Sequence, residues 1–489
     1  MPSRTTPQPR VAVLADSDTR WKWGALTASR IQSEPSLDGF LLRGRATPTV
    51  RQLDEVGARA DALREIRAVD FVRTVDRAAY DVVVLACVGG AVQAVLHGLA
   101  RAWEGAERRP VVVTGYVGVV YEKLADGLLL RHGADVVLAN SRHDAERFRA
   151  VYEGVGADAG SVVECALPFL GGAPYEREHA PYTVVFAAQP SVPERREDRV
   201  YLLRRAVQHA RRHPDREVLI KLRSKPGEHT THIEELPYQK LAARVPGGLP
   251  PNCRLVYGNM GEVLDRTDLL VTVSSTAALE SLHRGIPTAV LTDLGIREVL
   301  GNHHFLGSGC LASWDDLDAG HRPVPDAGWL ARQGVGAAPV AEGERDGAES
   351  VAAGPGPAGA EVAGGAGASG SSGASGSSGT ARAGVHAAAY ASAFDAARAR
   401  VDALRTADRL PPLAPYYTAR TAPGYLPGIL ARHGLDPKGD PLPGYEETDD
   451  EAPGGLRRVA RDTVREAARG AYRHGVQRVA PVIRRWGQL

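Results

Sequence analysis

Cysteine is scarce in this sequence, and the four that occur (Cys87, Cys165, Cys253 and Cys310) stand far apart with no CxxC pair. That spacing argues against a disulfide frame and a thiolate zinc site, and reduced thiols in a cytoplasmic protein are expected. Long apolar runs are missing as well. No stretch approaches the roughly 18 uninterrupted apolar residues that a bilayer-crossing helix needs, and MPSRTTPQPRVAVLADSD at the start holds no apolar signal core. There is no excess of one charge: Lys+Arg 59 against Asp+Glu 58 leaves no cationic surplus, so a nucleic-acid partner held by phosphate neutralisation is not expected. The glycines after PVVVTGY do not form a GxGxxG, which leaves a dinucleotide site unsupported. No GxSxG or Ser-His-Asp ordering speaks for a hydrolase triad.

What is present is a chain of 489 residues with 43% hydrophobic residues, enough for two cores. Short apolar runs alternate with longer amphipathic stretches from residue 10 to about 310, the pattern of parallel strands joined by crossover helices. The first set of strands is RVAVLAD (10–16), YDVVVLACV (80–88), PVVVTGY (110–116), ADVVLANS (134–141) and SVVECALP (161–168). The second is YTVVFAAQ (182–189), REVLIKLRS (216–224), CRLVYGN (253–259), DLLVTVSS (268–275) and IPTAVLTD (286–293). Turn residues around GGAPYEREHAP mark the joint. The reading is α/β: two doubly wound, Rossmann-like domains over 10–172 and 181–332. They are followed by a flexible Gly/Ser/Ala-rich linker (333–384), a helical return segment (385–435) and a basic amphipathic helix (455–487). In that last helix Arg461, Arg465, Arg469 and Arg473 recur every fourth residue beside an Ala/Val stripe. Such a helix suits an anionic membrane surface, a partner protein, or a solvated tail.

Three stretches carry candidate chemistry. DLLVTVSSTAALESLHRGIP breaks from a strand into a helix at Ser274, Ser275 and Thr276, with Glu280 one turn on. Hydroxyls at a strand's carboxyl end can bind phosphate and the glutamate can meet ribose hydroxyls, or the hydroxyls merely cap the helix. VLIKLRSKPGEHTTH sets Lys221, Arg223 and Lys225 at the end of another strand, with His229 and His232 beyond. This is either a cationic wall facing the hydroxyl turn or a solvated basic face. No further ligand is spaced for a metal, and none is expected. VAVLADSDTRWKWG closes the first strand with Asp16 and Asp18, the candidate catalytic carboxylates, unless they serve only to cap the next helix. Trp21 or Trp23 beside them is a candidate platform for a sugar ring. Gly115 and Gly118 suit a close-approach loop, and His303 and His304 in GNHHFLGSGCL are candidate donor or phosphate contacts.

VSSTAALESLHRGIPTAVLTD resembles the donor-site segment of bacterial GT-B sialyltransferases, polysialyltransferases and CDP-glycerol glycerophosphotransferases. The likeness is close over 253–310 and weaker over 10–330, and the whole chain is similar to an uncharacterised actinobacterial glycosyltransferase family. The resemblance implies a GT-B enzyme that is inverting and needs no cofactor. Its donor would be a nucleotide sugar, preferably a CMP-activated nonulosonic acid. It also implies phosphate binding by Ser274, Ser275 and Thr276 with Lys221 and Arg223, ribose and base contacts from Glu280, Gly258 and Asn259, and Asp16 or Asp18 as base. The acceptor would be a wall or surface polysaccharide or its lipid-linked precursor, met at the inner face of the cell membrane. Two departures stand out: the His-Pro pair of those families is replaced by Lys221 and Arg223, and D-S-D lacks the glycine that follows their acidic motif. A UDP- or GDP-sugar enzyme and a non-catalytic assembly subunit are the rival readings.

Overall fold

A computed structural model of the chain describes residues 8–44, 46–75, 80–118, 123–176, 178–225, 228, 236–336 and 387–443. The valine-rich runs form strands buried on both faces, which a parallel sheet covered by helices requires. The first sheet holds β1 (Arg10–Ala15), β2 (Ser36–Leu42), β3 (Ala62–Ile66), β4 (Val82–Ala86), β5 (Val111–Gly115), β6 (Val136–Ala139) and β7 (Val162–Glu164). Its spatial order is β3-β2-β1-β4-β5-β6-β7, and every pairing is parallel. The second sheet holds β8 (Tyr182–Ala187), β9 (Arg216–Lys221), β10 (Cys253–Val256), β11 (Leu269–Thr272), β12 (Thr288–Leu291) and β13 (Leu311–Ala312). Its order is β10-β9-β8-β11-β12-β13, again all parallel. These are two doubly wound α/β domains in succession.

Strands β2 and β3 and the two-residue β13 were not expected. SLDGFLL carries Asp38 and Gly39 at its centre, which breaks the apolar run. The glycine has a packing reason: a Cβ there would lie 2.6 Å from the Trp21 ring. ALREI is the sheet edge and mostly exposed, so it lacks a buried strand's signature.

One buried apolar cluster joins the domains. It contains Val13 and Val84 of the first sheet, Val185 and Leu270 of the second, and Leu167 and Leu170 from the connection. Helix Asp395–Thr406 packs back onto helix Asp18–Ile31 and β7, with the Tyr390 hydroxyl donating to the Leu167 carbonyl at 2.6 Å. Helix Leu426–Arg432 packs on helix Gly89–Ala102. The expected linker, from residue 337 on, and the expected basic helix at 455–487 lie outside the described residues. Among the described residues no helix is long and apolar enough to cross a membrane.

Candidate functional site

In an open parallel sheet a crevice forms where the strand order reverses, at the strands' carboxyl ends. The first sheet reverses between β1 and β4 and the second between β8 and β11. Both points open onto one cleft of about 640 Å³. The segments after β1 (Ser17–Lys22) and β4 (Val88, Gly89) line it on one side. Those after β8 (Ala188–Val192), β9 (Leu222, Arg223) and β11 (Ser274–Ala277) line it on the other. Asp18, Lys221, Arg223, Gly258, Asn259, Ser274, Ser275, Thr276 and Glu280 therefore share one cavity, although up to 262 residues of sequence separate them.

The two aspartates have different places. Asp16 is not among the lining residues. Its Oδ1 accepts from Arg20 at 2.9 Å, and its Oδ2 accepts from the Val88 N–H at 2.8 Å, tying β1 to the segment after β4. Asp18 sits in the first turn of helix Asp18–Ile31, which Ser17 caps. Its Oδ1 accepts from Arg223 Nη2 at 2.6 Å, across the cleft, and Arg223 also donates to the Thr19 hydroxyl at 2.5 Å. Burial would raise the Asp18 carboxyl, but the Arg223 charge and hydrogen bond hold it below the usual carboxylate range. A second pair crosses nearby: Lys22 Nζ lies 3.5 Å from Glu280 Oε2 and above the Phe169 ring. Arg51 reaches Glu228 as a third, bidentate pair.

The hydroxyl turn divides its work. Ser274 donates to the Leu300 carbonyl at 2.6 Å, and its amide donates to Gln189 Oε1 at 3.0 Å. Ser275 accepts from the Ala277 N–H, as a cap does. Thr276 faces the other domain, where a Cβ on Gly118 would lie 3.2 Å from its hydroxyl. Gly258 adopts φ +98, which only glycine takes easily. Asn259 caps its own helix and donates to the Glu55 carbonyl at 2.8 Å.

Some expectations are corrected. Trp21 and Trp23 cannot stack on a ligand, because both lie in the apolar core at 0% and 1% exposure. Gly115 serves packing, since a Cβ there would meet Trp23 at 2.8 Å. His303 and His304 line a separate cavity. His229 and His232 lie outside the described residues.

Two cations define the cleft's electrostatics. Lys221 is 6% exposed, donates to the Leu222 carbonyl at 2.8 Å, and burial pushes its ammonium down to about 8. Arg131 is 5% exposed and donates to the carbonyls of Gly115, Gly127 and Cys87 while lying over the Tyr116 ring. Neither has a carboxylate within ion-pairing distance among the described residues. The Glu55 and Glu280 carboxylates, which line the same cleft, act on Lys221 from beyond ion-pairing distance, and buried cations outside a direct ion pair are candidates for binding an anion. Sequence reasoning missed Arg131, one arginine among many whose place at the β4 and β5 ends only the sheet reveals. Gln189 was missed for the same reason.

Among the described residues, His209, His213 and Asp318 have donor atoms within 4.8 Å of one another. Asp318 already accepts from Arg205, Arg212 and His209, and Arg216 lies 3.3 Å from His209 Nε2. Guanidinium groups occupy the positions a metal would need, so this is an ion-pair network.

Two doubly wound domains facing one cleft, with both switch points lining it, are the GT-B class of fold. Residues 11–349 match the model of the family described as "Putative glycosyltransferase (DUF6716)", and the chain belongs to that family. It is thereby an enzyme of the glycosyltransferase type. No curated protein matches the chain significantly. Similar solved structures include a UDP-GlcNAc 2-epimerase from Neisseria meningitidis bound to UDP-GlcNAc (10% identity, 64% of this chain and 90% of that one, TM-score 0.40). A spinosyn rhamnosyltransferase complexed with thymidine diphosphate is another (13%, 67% and 94%, TM-score 0.39). A lipopolysaccharide outer core galactosyltransferase in its apo form is a third (11%, 63% and 88%, TM-score 0.35). Neither the family description nor these structures carries the sialyltransferase or CDP-glycerol detail of the resemblance.

Proposed function

We propose that the cleft moves a sugar from a nucleotide donor to a saccharide acceptor by inverting displacement, with side-chain cations doing the work of a metal. The observation that carries this reading is the pair of buried cations, Lys221 and Arg131, on opposite walls, neither held in an ion pair among the described residues. The donor's phosphate supplies the missing charge, and Ser275 and Thr276 lie where their hydroxyls can bond its oxygens. Glu280 takes the ribose hydroxyls, and the Gly258–Asn259 turn meets the base. Phosphate draws Arg223 from Asp18, and the freed carboxylate regains basicity. Asp18 then accepts the acceptor hydroxyl's proton as its oxygen bonds to the anomeric carbon. The bond from that carbon to the phosphate oxygen breaks, and the departing nucleotide's charge is held by Lys221, Arg223 and Arg131.

A CMP-activated nonulosonic acid is the favoured donor, on the likeness of residues 253–310 alone; UDP- and GDP-sugars are the rivals. The acceptor is a wall or surface polysaccharide or its lipid-linked precursor. The basic segment at 455–487 supplies reversible contact with the inner membrane face, which co-sedimentation with phosphatidylglycerol vesicles checks. The test is thermal melting with CMP, CDP, UDP and GDP, followed by turnover with a panel of nucleotide sugars with and without chelator. One nucleotide is expected to raise the melting point well above the others. Asp18→Asn is expected to keep that shift and lose 10²- to 10⁴-fold in turnover. Asp16→Asn is expected to lose about 1 kcal/mol of stability with turnover nearly intact. No shift with any nucleotide sinks the donor site, and full turnover in Asp18→Asn sinks the base.

A further inference from the structure

A second cavity of about 620 Å³ lies on the β6 side of the domain joint. His143 and Arg147, from helix Arg142–Gly154 after β6, form its first-domain wall. His303 and His304 come from the segment after β12, and Trp329 and Gln333 from helix Ala327–Arg332 and its end. The same stretch divides the two cavities: Glu298–Gly301 line the donor cleft, and His303 and His304 line this one.

The lining is chemically mixed in a particular way. Arg147 has no ion pair among the described residues, and Arg332 reaches its nearest carboxylate, on Glu146, only at 3.9 Å. One carboxylate also lines the cavity, that of Asp326, whose Oδ1 accepts from the Trp329 N–H at 2.7 Å, so Arg147 is the lining guanidinium left without an ion pair among the described residues. Gln333 is 4% exposed, and its Oε1 has no hydrogen-bond partner; His303 Nδ1 and His304 Nε2 are likewise buried and unpartnered. Burial lowers the His304 ring to about 3, so it is neutral, a hydrogen-bonding group and not a counter-charge. Trp329 is half-buried and lines the cavity, with its ring 6.0 Å from that of His304 and 5.6 Å from that of Phe305, and an aromatic side chain lining a cavity can pack on a sugar's C–H groups.

We propose that this cavity binds a phosphorylated saccharide, with Arg147 and Arg332 on the phosphate, Gln333 and His304 on the hydroxyls, and Trp329 against the ring. The binding does not rest on the transferase reading given above. Calorimetry on the full chain with glucose 6-phosphate, glucose and inorganic phosphate tests it. Glucose 6-phosphate is expected to bind at least 10-fold more tightly than either fragment. Arg147→Ala is expected to weaken it at least 10-fold while keeping the circular dichroism spectrum and the nucleotide melting shift. Arg223→Ala, in the other cavity, is expected to leave glucose 6-phosphate affinity unchanged. Equal affinity for inorganic phosphate and glucose 6-phosphate overturns the saccharide site. A loss in Arg223→Ala but not in Arg147→Ala overturns its location. Sugar-phosphate binding that persists without any nucleotide shift leaves this site standing and removes the donor reading only.

Discussion

Lys221 joins deep burial to a functional demand. Its ammonium, lowered by burial to about 8, is charged at pH 7 and is lost as pH rises through 8. Affinity for the nucleotide that gives the largest melting shift is therefore expected to fall about 10-fold between pH 7 and 9, the worth of one charged hydrogen bond. Lys221→Met should bind more weakly at pH 7 and show a flat profile by calorimetry. Stability without ligand moves the opposite way. Between 8 and the ordinary lysine value of 10.5 the unfolded chain binds a proton that the folded chain does not, so stability at this residue rises with pH. Denaturant titrations at pH 7.5 and 9.5 should show that rise, reduced in Lys221→Met. Lys221 was legible from its place at the end of an apolar run. Its lack of a direct ion pair was not, because that depends on how near the fold brings each carboxylate.

At the scale of elements, the strands that sequence reading found are those with short apolar runs. Strand β2 was lost to Asp38 and Gly39, whose reasons lie in contacts with distant chain: Asp38 accepts from Tyr80 and Arg10, and Gly39 makes room for Trp21. Neighbouring strands are also stitched at their amino ends. Asp135, just before β6, accepts from both Arg109 guanidinium nitrogens at 2.7 and 2.8 Å and from the Val112 N–H at 2.8 Å. Both side chains are about 5% exposed. Asp135→Ala leaves Arg109 buried without its partner, at an expected cost of about 3–5 kcal/mol. Thermal denaturation should show a melting point lower by on the order of 10 °C. A drop of only a degree or two would mean that water enters and replaces the carboxylate.

Across the whole molecule, the two domains share one buried apolar cluster and three ion pairs over the cleft. Unfolding one domain exposes apolar surface of the other, so calorimetry on the full chain should show one cooperative transition for the two domains. Two well-separated transitions would refute the shared core. The ion pairs are polar and partly exposed, so they contribute little to this cooperativity. Their consequence is functional: they place the cleft's cations and carboxylates in contact before any ligand arrives.

The sequence alone determined the alternation of apolar runs and helices, and with it the class of both domains and the strand ends where Asp18, Arg223 and Ser274–Thr276 sit. A period of two or 3.6 residues is a local property that no distant contact can erase. The tertiary structure decided which strand ends meet, because spatial order sets the switch points and order is not written in spacing. It separated Asp18 from Asp16, removed Trp21 and Trp23 to the core, brought Arg131 to the cleft and gave His304 a cavity of its own. Each of these outcomes is a matter of which groups share a low-dielectric space, and burial fixes that only when the whole chain has closed.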